Sequence, residues 1–474
     1  MSLLMSCSHR PNTSYTKDVK EISRYSYREV SPLEKEDSTL IILAFSGGGT
    51  RAAAFSYGLL KGLNDVSYPQ KDSSEDLLDQ VDLISSISGG SFTAAYYGLF
   101  REETFSTFKE RMLYKNIQGG LVWRILNPLN WFRLASSDFD RIDIAAEMYD
   151  KKVFKHKTYA DLIKQPKPFI LLNATDMSLG RRFEFNQNQF DFLCADLSHF
   201  KIAQSVAASS AFPFLLSPLS LNNYAQKGCQ FKTPQWILSG LKQKNNSRRK
   251  LKAQGANTYL TNKDYQYVKL MDGGLSDNIG LRGPLNALKT TDSPWSVLQL
   301  INQGRIKRVL VIVVNAKTEN GNKWYKKKKS PGITSVAGFT ATNALNDYSF
   351  DTVELLKSFF RDYKTQSATR NYVLKKVRGY DSSFTLPNLP NPKLNVVEIA
   401  FDQLPKEKEH LKGCLEALPT NFNLSKERVD LLIESAQYLL FQSKEFNRFM
   451  KATDKNWKKN PFEIQAPLVK AACD

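Results

Sequence analysis

Residues 39–63 read TLIILAFSGGGTRAAAFSYGLLKGL. The segment Thr39 to Phe45 is a continuous apolar run of strand length, which is typical of a strand buried on both faces of a parallel sheet. Gly47, Gly48 and Gly49 follow it, and alanines and leucines at helical spacing come next. The stretch therefore predicts a strand, a glycine loop and a helix in succession.

The same succession recurs further along the chain. Residues 81–86 are apolar up to two serines, Gly89 and Gly90 follow shortly after, and residues 92–97 have helical composition. Other apolar runs of strand length lie at residues 169–174, 308–314 and 396–401. Strands that alternate with helical segments predict an α/β fold with a mostly parallel central sheet flanked by helices.

Composition and charge narrow the class of protein. The 474 residues are 42% hydrophobic and 24% charged, which is ordinary for a globular protein and excludes a disordered or fibrous chain. Lys and Arg total 66 against 47 Asp and Glu, and the resulting +19 favours polyanionic partners, either nucleic acid or an anionic membrane surface. A solvated basic surface is the alternative explanation.

Cysteine usage and hydropathy exclude several kinds of site. The five cysteines are scattered without a CxxC pair, so the sequence indicates no zinc site, no redox motif and no dense disulfide framework. No apolar run approaches the roughly 18 residues of a membrane-spanning helix. Residues 3–8 (LLMSCS) resemble the end of a bacterial lipoprotein signal, in which Cys7 would receive lipid. Because the apolar run is shorter than the roughly 7–15 residues of a signal core, a chance match is the alternative.

The serine-rich stretch DLISSISGGS, residues 82–91, raises the question of a nucleophile. A serine on the tight turn between a strand and a helix projects its hydroxyl, and the helix N-terminus favours the negative charge that develops there. Ser88 fits this position best, because the strand precedes it and Gly89-Gly90 follow it. A turn or capping role is the plainer alternative for serine and glycine at such a junction.

Two further motifs complete a candidate site. Backbone amides of Gly47, Gly48 and Gly49 at the strand end can point into one cavity, as an oxyanion hole or anion nest requires. The loop lacks the spacing and the lysine of a nucleotide-binding P-loop. Asp272 ends a short apolar segment and precedes two glycines, whereas none of the four histidines has such a context. An aspartate that acts directly on the serine is therefore the simpler prediction.

Together these motifs resemble the patatin-like phospholipase family. The quoted matches are the GGGTR segment at 47–51, SISGG at 86–90, DGG at 272–274, ASSAFPF at 208–214 and LLNATD at 171–176. The likeness covers roughly residues 38–320, and residues 419–424 with the following helix are similar to the C-terminal end of the family. Ser86 replaces the usual first glycine of the serine motif, and Ala52 replaces the glycine usual after the loop arginine.

The resemblance implies a fold and a reaction. The fold would be a three-layer α/β/α patatin-like architecture with a helical lid and C-terminal helices. We expect an arm or tether over residues 1–37, a catalytic core over 38–320, and an extension of a strand plus helices over 321–474 that packs on the core. The activity would be hydrolysis of carboxylic esters of phospholipids or other lipids through an acyl-enzyme, with no metal and no cofactor.

By resemblance, Ser88 would be the nucleophile, Asp272 its partner in a dyad, and Gly47, Gly48 and Gly49 the oxyanion hole. Arg51 would hold the glycine loop by hydrogen bonds or, as an alternative, receive a substrate phosphate.

Residues 121–134 (LVWRILNPLNWFRL) are strongly apolar with two tryptophans, and predict either a lid that contacts a membrane or a buried helix. The expected partners are a lipid ester substrate and an anionic membrane surface. A basic nucleic-acid-binding protein would explain the charge but not the glycine motifs, and no nucleic-acid-binding signature is present. A catalytically weak or inactive lipid-binding relative of the family is the other alternative.

Overall fold

The computed structural model describes residues 13–16, 25–27, 38–69, 74–136, 138–213, 215–245, 247–289, 296–318, 328, 330, 332–383, 386 and 388–474. Within the helix Ile333–Tyr380 the side chains are described from residue 349 onward. Cys7, the predicted lipidation site, lies outside these residues.

Twelve strands are present in the described chain: β1 Ser14–Tyr15, β2 Ser38–Phe45, β3 Ser67–Pro69, β4 Ser74–Asp76, β5 Leu83–Ser86, β6 Phe169–Asp176, β7 Arg181–Glu184, β8 Ala195–Asp196, β9 Leu219–Asn222, β10 Tyr267–Asp272, β11 Ile306–Asn315 and β12 Lys393–Ala400. Eight of them form the central sheet, in the order β12-β11-β2-β5-β6-β10-β9 with β7 also paired to β6. The five strands from β12 to β6 are parallel, whereas β7, β9 and β10 are antiparallel to their neighbours.

The described helices flank this sheet: α1 Gly49–Asn64, α2 Gly89–Phe100, α3 Glu103–Phe108, α4 Ile117–Leu126, α5 Pro128–Leu134, α6 Arg141–Tyr149, α7 Tyr159–Ile163, α8 Gln187–Phe190, α9 Ile202–Ser209, α10 Gln235–Leu241, α11 Arg248–Thr261, α12 Arg282–Lys289, α13 Val297–Asn302, α14 Ile333–Tyr380, α15 Glu409–Glu416, α16 Lys426–Gln442, α17 Lys444–Thr453 and α18 Ala466–Cys473. A mostly parallel sheet covered by helices confirms the predicted α/β class and is consistent with the three-layer patatin fold.

The predicted central strands are confirmed because their apolar runs are buried in the sheet. Every residue of β5 and β6 is buried, and so is β2 from Leu40 to Phe45. The strands predicted at residues 308–314 and 396–401 correspond to β11 and β12. A strand enclosed on both faces needs apolar residues on both faces, so its sequence is a run rather than an alternation.

Register brings the ends of two distant strands to the same level. Ser86 at the end of β5 pairs with Leu172 of β6, and Asp272 at the end of β10 pairs with Ala174 of the same strand. Because β10 runs antiparallel to β6, it approaches from the opposite direction to β5, and its last residue lies two positions along β6 from the level of Ser86. The segment after Ser86 and Asp272 therefore come together on either side of residues 172–174 of β6.

The two ends of the chain both pack on this sheet. Helix α16 packs against α1, where a Cβ added to Gly58 would lie 2.4 Å from the carbonyl oxygen of Ile433, so only glycine permits this approach. Near the N-terminus, the buried Tyr25 hydroxyl donates to the carbonyl of Ile170 at 3.0 Å. The domain boundaries at residues 37 and 320 stay a prediction.

Two disulfides that the sequence did not predict lie outside the sheet. Cys194 is bonded to Cys229, and Cys414 is bonded to Cys473, the last residue of α18. Partner choice among scattered cysteines depends on distances across the fold, which the spacing of the cysteines does not contain.

Candidate active site

Ser88 occupies the sharp turn between β5 and α2. Its backbone has φ 48° and ψ −119°, an unusual conformation for a residue with a side chain. Such backbone strain costs on the order of 1–3 kcal/mol and is found at functional sites that the surrounding structure holds in place. The Ser88 amide donates to Oγ of Ser209 at 3.0 Å, and Ser88 is only 8% exposed. The turn therefore presents the hydroxyl at the N-terminal end of α2.

The other three serines of this stretch are engaged in buried hydrogen bonds. Oγ of Ser85 accepts from the side-chain amide of Asn173 at 3.1 Å. Ser86 and Ser91 contact each other through their Oγ atoms at 3.2 Å, and Ser91 also contacts Ser209 at 2.9 Å. Ser86, which stands where the family usually has glycine, therefore places its hydroxyl in a network beneath the turn.

Asp272 lies beside Ser88 and has a strongly perturbed carboxyl group. Burial raises the pKa of Asp272 to about 7, although hydrogen bonds from the Gly274 amide and the Ser88 hydroxyl both act to lower the pKa. The Gly274 amide donates to Oδ1 of Asp272 at 2.8 Å, and this contact fixes the carboxylate at the end of β10. A carboxylate whose pKa lies near neutrality can accept a proton and return it.

The described histidines lie at the surface. His156 is paired with Asp150 through Nδ1 at 2.7 Å and its side chain is 62% exposed. His199 is 78% exposed and His410 is also exposed, whereas His9 lies outside the described residues. Among the described histidines, none therefore contributes to the pair formed by Ser88 and Asp272.

The glycine loop borders the same turn, and its amides differ in their partners. The Gly47 amide donates to the carbonyl of Asn278 at 3.0 Å. The amides of Gly48 and Gly49 have no hydrogen-bond acceptor among the residues that the structure describes. Gly48 has φ 138° and Gly49 has φ 60°, conformations that favour glycine over any residue with a side chain.

Close backbone contacts hold this loop against the serine turn. A Cβ on Gly49 would lie 2.2 Å from the carbonyl oxygen of Asn421, and a Cβ on Gly89 would lie 2.0 Å from the carbonyl oxygen of Gly49. The carbonyl of Asn421 also accepts from the Thr50 amide at 2.8 Å. The loop, the serine turn and the segment around Asn421 are therefore packed backbone to backbone.

Arg51 is buried and ties the loop to the C-terminal part of the chain. Its guanidinium donates to the carbonyls of Ala316 at 2.9 Å and Leu418 at 2.6 Å, and to Oγ1 of Thr420 at 2.9 Å. Burial lowers the pKa of Arg51 to about 10, which leaves the group charged at neutral pH. These contacts match the loop-holding alternative for Arg51.

Sequence reasoning missed four asparagines and serines that support the site: Asn173, Ser209, Asn278 and Asn421. Asn173, Ser209 and Asn421 lie within segments quoted for the family resemblance, although none of the three was assigned a role there. For Asn173, a polar residue inside an otherwise apolar strand was the available signal. The other three contact the site only through the fold, so no local pattern identifies them.

The tryptophan-rich segment forms α4 and α5, and both helices expose apolar side chains. Trp123 is 66% exposed and Phe132 is 83% exposed, and α5 has no buried residue. Only Ile117 and Leu121 of α4 are buried. The structure therefore disagrees with the buried-helix alternative. Among the described helices, none combines the length and the apolarity that a membrane crossing requires.

Comparisons with solved structures return matches of low similarity. Human GIVD cytosolic phospholipase A2 is 12% identical with a TM-score of 0.41, and the match covers 98% of this chain and 69% of that chain. Full-length ExoU in complex with SpcU, from the type III secretion system of Pseudomonas aeruginosa, is 12% identical with a TM-score of 0.21, and the match covers 93% of this chain and 77% of that chain. No curated protein matches the sequence.

The comparison with protein-family models, by contrast, gives a match over a long part of the chain. The model of the patatin-like phospholipase family matches residues 43–285, which is more than half of the chain. The matched range contains the glycine loop, the Ser88 turn and Asp272. The chain belongs to the patatin-like phospholipase family.

Proposed function

We propose that this protein is a lipid acyl hydrolase that cleaves carboxylic esters of phospholipids or other lipids, with Ser88 as nucleophile and Asp272 as base. The observation that carries the proposal is the position of the Ser88 hydroxyl beside the buried carboxylate of Asp272, whose pKa burial raises to about 7. A serine hydroxyl is a weak nucleophile until an adjacent base removes its proton. Membership of a phospholipase family supports the choice of a lipid ester as substrate.

Acylation begins when Oγ of Ser88 attacks the ester carbonyl carbon and its proton passes to the Asp272 carboxylate. The carbonyl oxygen becomes an oxyanion in a tetrahedral intermediate. When the intermediate collapses, the bond to the alkoxy oxygen breaks and Asp272 protonates the leaving alcohol. Water then attacks the acyl-enzyme, gives its proton to Asp272, and the fatty acid leaves as Ser88 regains a proton. A base with a pKa near 7 suits both proton transfers.

The oxyanion is assigned to the amides of Gly48 and Gly49. Both amides lack acceptors within the described chain and lie on the loop against which Gly89, the neighbour of Ser88, is packed. Preorganised amide donors stabilise the transition state because they need no reorientation as the charge develops. The predicted contribution of Gly47 requires its amide to leave the carbonyl of Asn278, which it contacts at 3.0 Å.

The proposed partner is an anionic membrane surface. The net charge of +19 supports attraction to such a surface, and the exposed apolar residues of α4 and α5 support contact with lipid. Attachment through a lipidated Cys7 remains part of this proposal and rests on the sequence alone. Mass analysis of the N-terminal peptide from membranes tests it, because an unmodified Cys7 in a soluble fraction contradicts lipidation.

Covalent labelling tests the reaction most directly. A lipid fluorophosphonate is expected to modify wild-type protein at Ser88, and Ser88→Ala should lose both labelling and ester hydrolysis. Ser106→Ala is the matched control, because Ser106 is an exposed helical serine whose hydroxyl contacts only the carbonyl of Glu103. Labelling at Ser86, or a folded wild type that binds lipid without hydrolysing any ester, would overturn the proposal and favour an inactive lipid-binding protein.

A further inference from the structure

Helices α4 and α5 form a continuous apolar surface that the reaction does not use. We call residues 117–134 the apolar hairpin. Five of its large apolar side chains are more than half exposed: Trp123 at 66%, Leu126 at 64%, Leu129 at 77%, Trp131 at 57% and Phe132 at 83%. Soluble proteins rarely expose large apolar side chains next to one another, and where they do the patch marks an interaction site.

Hydrogen bonds within the apolar hairpin hold these side chains outward. The side chain of Asn127 accepts from the Leu129 amide at 3.0 Å and caps α5. Asn130 donates through its side-chain amide to the carbonyl of Arg124 at 2.8 Å, and Trp131 donates through its indole to the carbonyl of Ile125 at 3.3 Å. The two helices are therefore bonded to each other, which fixes the exposed arrangement.

The charged residues within the apolar hairpin itself are basic. Residues 111–137 contain Arg111, Lys115, Arg124 and Arg133 and no acidic residue, and Arg133 is paired with the carboxylate of Glu147 on α6. Tryptophan and arginine are the residues that suit the headgroup level of a bilayer, where an apolar ring and a cation both find partners. Basic side chains beside an apolar face favour an anionic lipid surface over a second copy of a protein with a net charge of +19.

The apolar hairpin is joined to the catalytic loop through a short path. The Ile117 amide donates to the carbonyl of Phe422 at 3.0 Å, one residue beyond Asn421, whose carbonyl contacts the loop at Thr50. A groove of about 440 Å³ lies between them and is lined in part by Val122, Trp123, Leu126 and Asn421. A surface that binds the apolar hairpin would therefore lie next to the segment around Asn421, which supports the glycine loop.

We infer that the apolar hairpin is the membrane-docking element of this protein, and that it inserts its exposed tryptophan, leucine and phenylalanine side chains into the headgroup region of an anionic phospholipid bilayer. If docking also brings lipid substrate to the active site, that role rests on the proposed function. Docking itself does not require catalysis. Apolar insertion and electrostatic attraction each contribute to such interfacial binding, so both removal of the apolar side chains and high salt weaken it.

Vesicle binding tests docking in the catalytically inert Ser88→Ala background of the full chain. Leu129→Asp with Phe132→Asp is expected to weaken co-sedimentation with phosphatidylcholine vesicles containing about one quarter phosphatidylglycerol by about tenfold or more. The matched control is Phe350→Asp with Tyr372→Asp on α14, whose side chains are 67% and 63% exposed, and it should bind as the parent does. Equal binding by the hairpin variant and the control overturns the inference.

A second test measures the depth of insertion and uses variants that leave the apolar hairpin apolar. Lipids brominated near the headgroup should quench tryptophan fluorescence of the parent, and Trp123→Phe with Trp131→Phe should remove most of this quenching. Quenching that persists in this variant would place the membrane contact elsewhere. A concentration-dependent dimer that Leu129→Asp with Phe132→Asp abolishes, without a change in vesicle binding, would assign the surface to a second copy and also overturn the inference.

Activity separates this inference from the proposed function. With Ser88 intact, the Leu129→Asp and Phe132→Asp variant should lose hydrolysis of vesicle lipid but keep hydrolysis of a water-soluble short-chain ester. If the wild type hydrolyses neither substrate, the proposed function fails while vesicle binding still decides docking. If the variant loses both activities although it is folded, the apolar hairpin supports the catalytic site and the docking role is contradicted.

Discussion

The Ser88 hydroxyl lies close enough to the carboxylate of Asp272 to lower the pKa of that carboxyl group, whereas burial raises the pKa to about 7. Ser88 follows β5 and Asp272 ends β10, and the two strands pair with opposite sides of β6 at neighbouring levels. The contact joins a strained turn to a buried acid, and each of the following predictions depends on it or on the loop beside it.

Asp272→Asn should lower kcat/KM for a soluble ester by about 10² to 10⁴-fold, because an amide cannot accept the Ser88 proton. His156→Ala, His199→Ala and His410→Ala are the matched controls and should retain nearly full activity, since these side chains lie at the surface. Steady-state kinetics on folded variants measure this. A histidine variant as inactive as Asp272→Asn would replace the dyad with a triad.

Activity should rise with pH through about 7, because the proposed reaction needs the ionised form of Asp272. Measurement of kcat/KM between about pH 5 and about pH 9 should show one inflection near neutrality. An inflection near pH 4, where an ordinary aspartate titrates, would contradict a functional role for the buried carboxylate.

The raised pKa of Asp272 should also lower the stability of the folded protein at high pH. The folded pKa of about 7 exceeds the ordinary 3.8, so the folded protein holds a proton that the unfolded chain releases, and stability falls as the pH rises between these values. A difference of about 3 units corresponds to about 4 kcal/mol. In denaturation experiments, the stability of Asp272→Asn relative to wild type should therefore increase from about pH 5 to about pH 8. A difference that does not change with pH would contradict this prediction.

Arg51→Ala should lower the free energy of unfolding by about 2–4 kcal/mol, because the buried carbonyls of Ala316 and Leu418 lose a charged donor. We expect equal loss of activity toward phospholipids and neutral lipid esters, since the guanidinium donates its hydrogen bonds to groups of the protein itself. Chemical denaturation and paired kinetics measure the two effects. Selective loss on phosphate-bearing substrates would assign Arg51 to substrate binding.

Gly49→Ala should destabilise the protein and abolish ester hydrolysis, because its Cβ would lie 2.2 Å from the carbonyl oxygen of Asn421 and Gly49 has φ 60°. Gly413→Ala is the matched control, since a Cβ there meets nothing within 4 Å. Thermal unfolding and hydrolysis of a soluble ester measure the outcome. Wild-type behaviour of Gly49→Ala would show that the loop can move away from Asn421, and would weaken its assignment as a fixed oxyanion hole.

The sequence by itself determined the parallel half of the sheet and the position of the turn. Strands β2, β5 and β6 are buried on both faces, so their residues must be apolar over a continuous run, and such a run is visible without a structure. Ser88 was predictable for a similarly local reason, since only small residues fit around a turn from a strand into a helix. The roles of Ser88 and Asp272 in catalysis stay predictions.

Only the tertiary structure decided which groups contact one another. The register of β10 on β6 places Asp272 beside Ser88. The carbonyl of Asn278 accepts a hydrogen bond from the Gly47 amide, and Arg51 donates to Leu418 and Thr420. The exposure of the apolar hairpin was likewise undetermined, because an apolar helix has the same sequence whether it is buried or displayed. These features depend on distances between residues far apart in the chain, whereas local sequence patterns describe only neighbours.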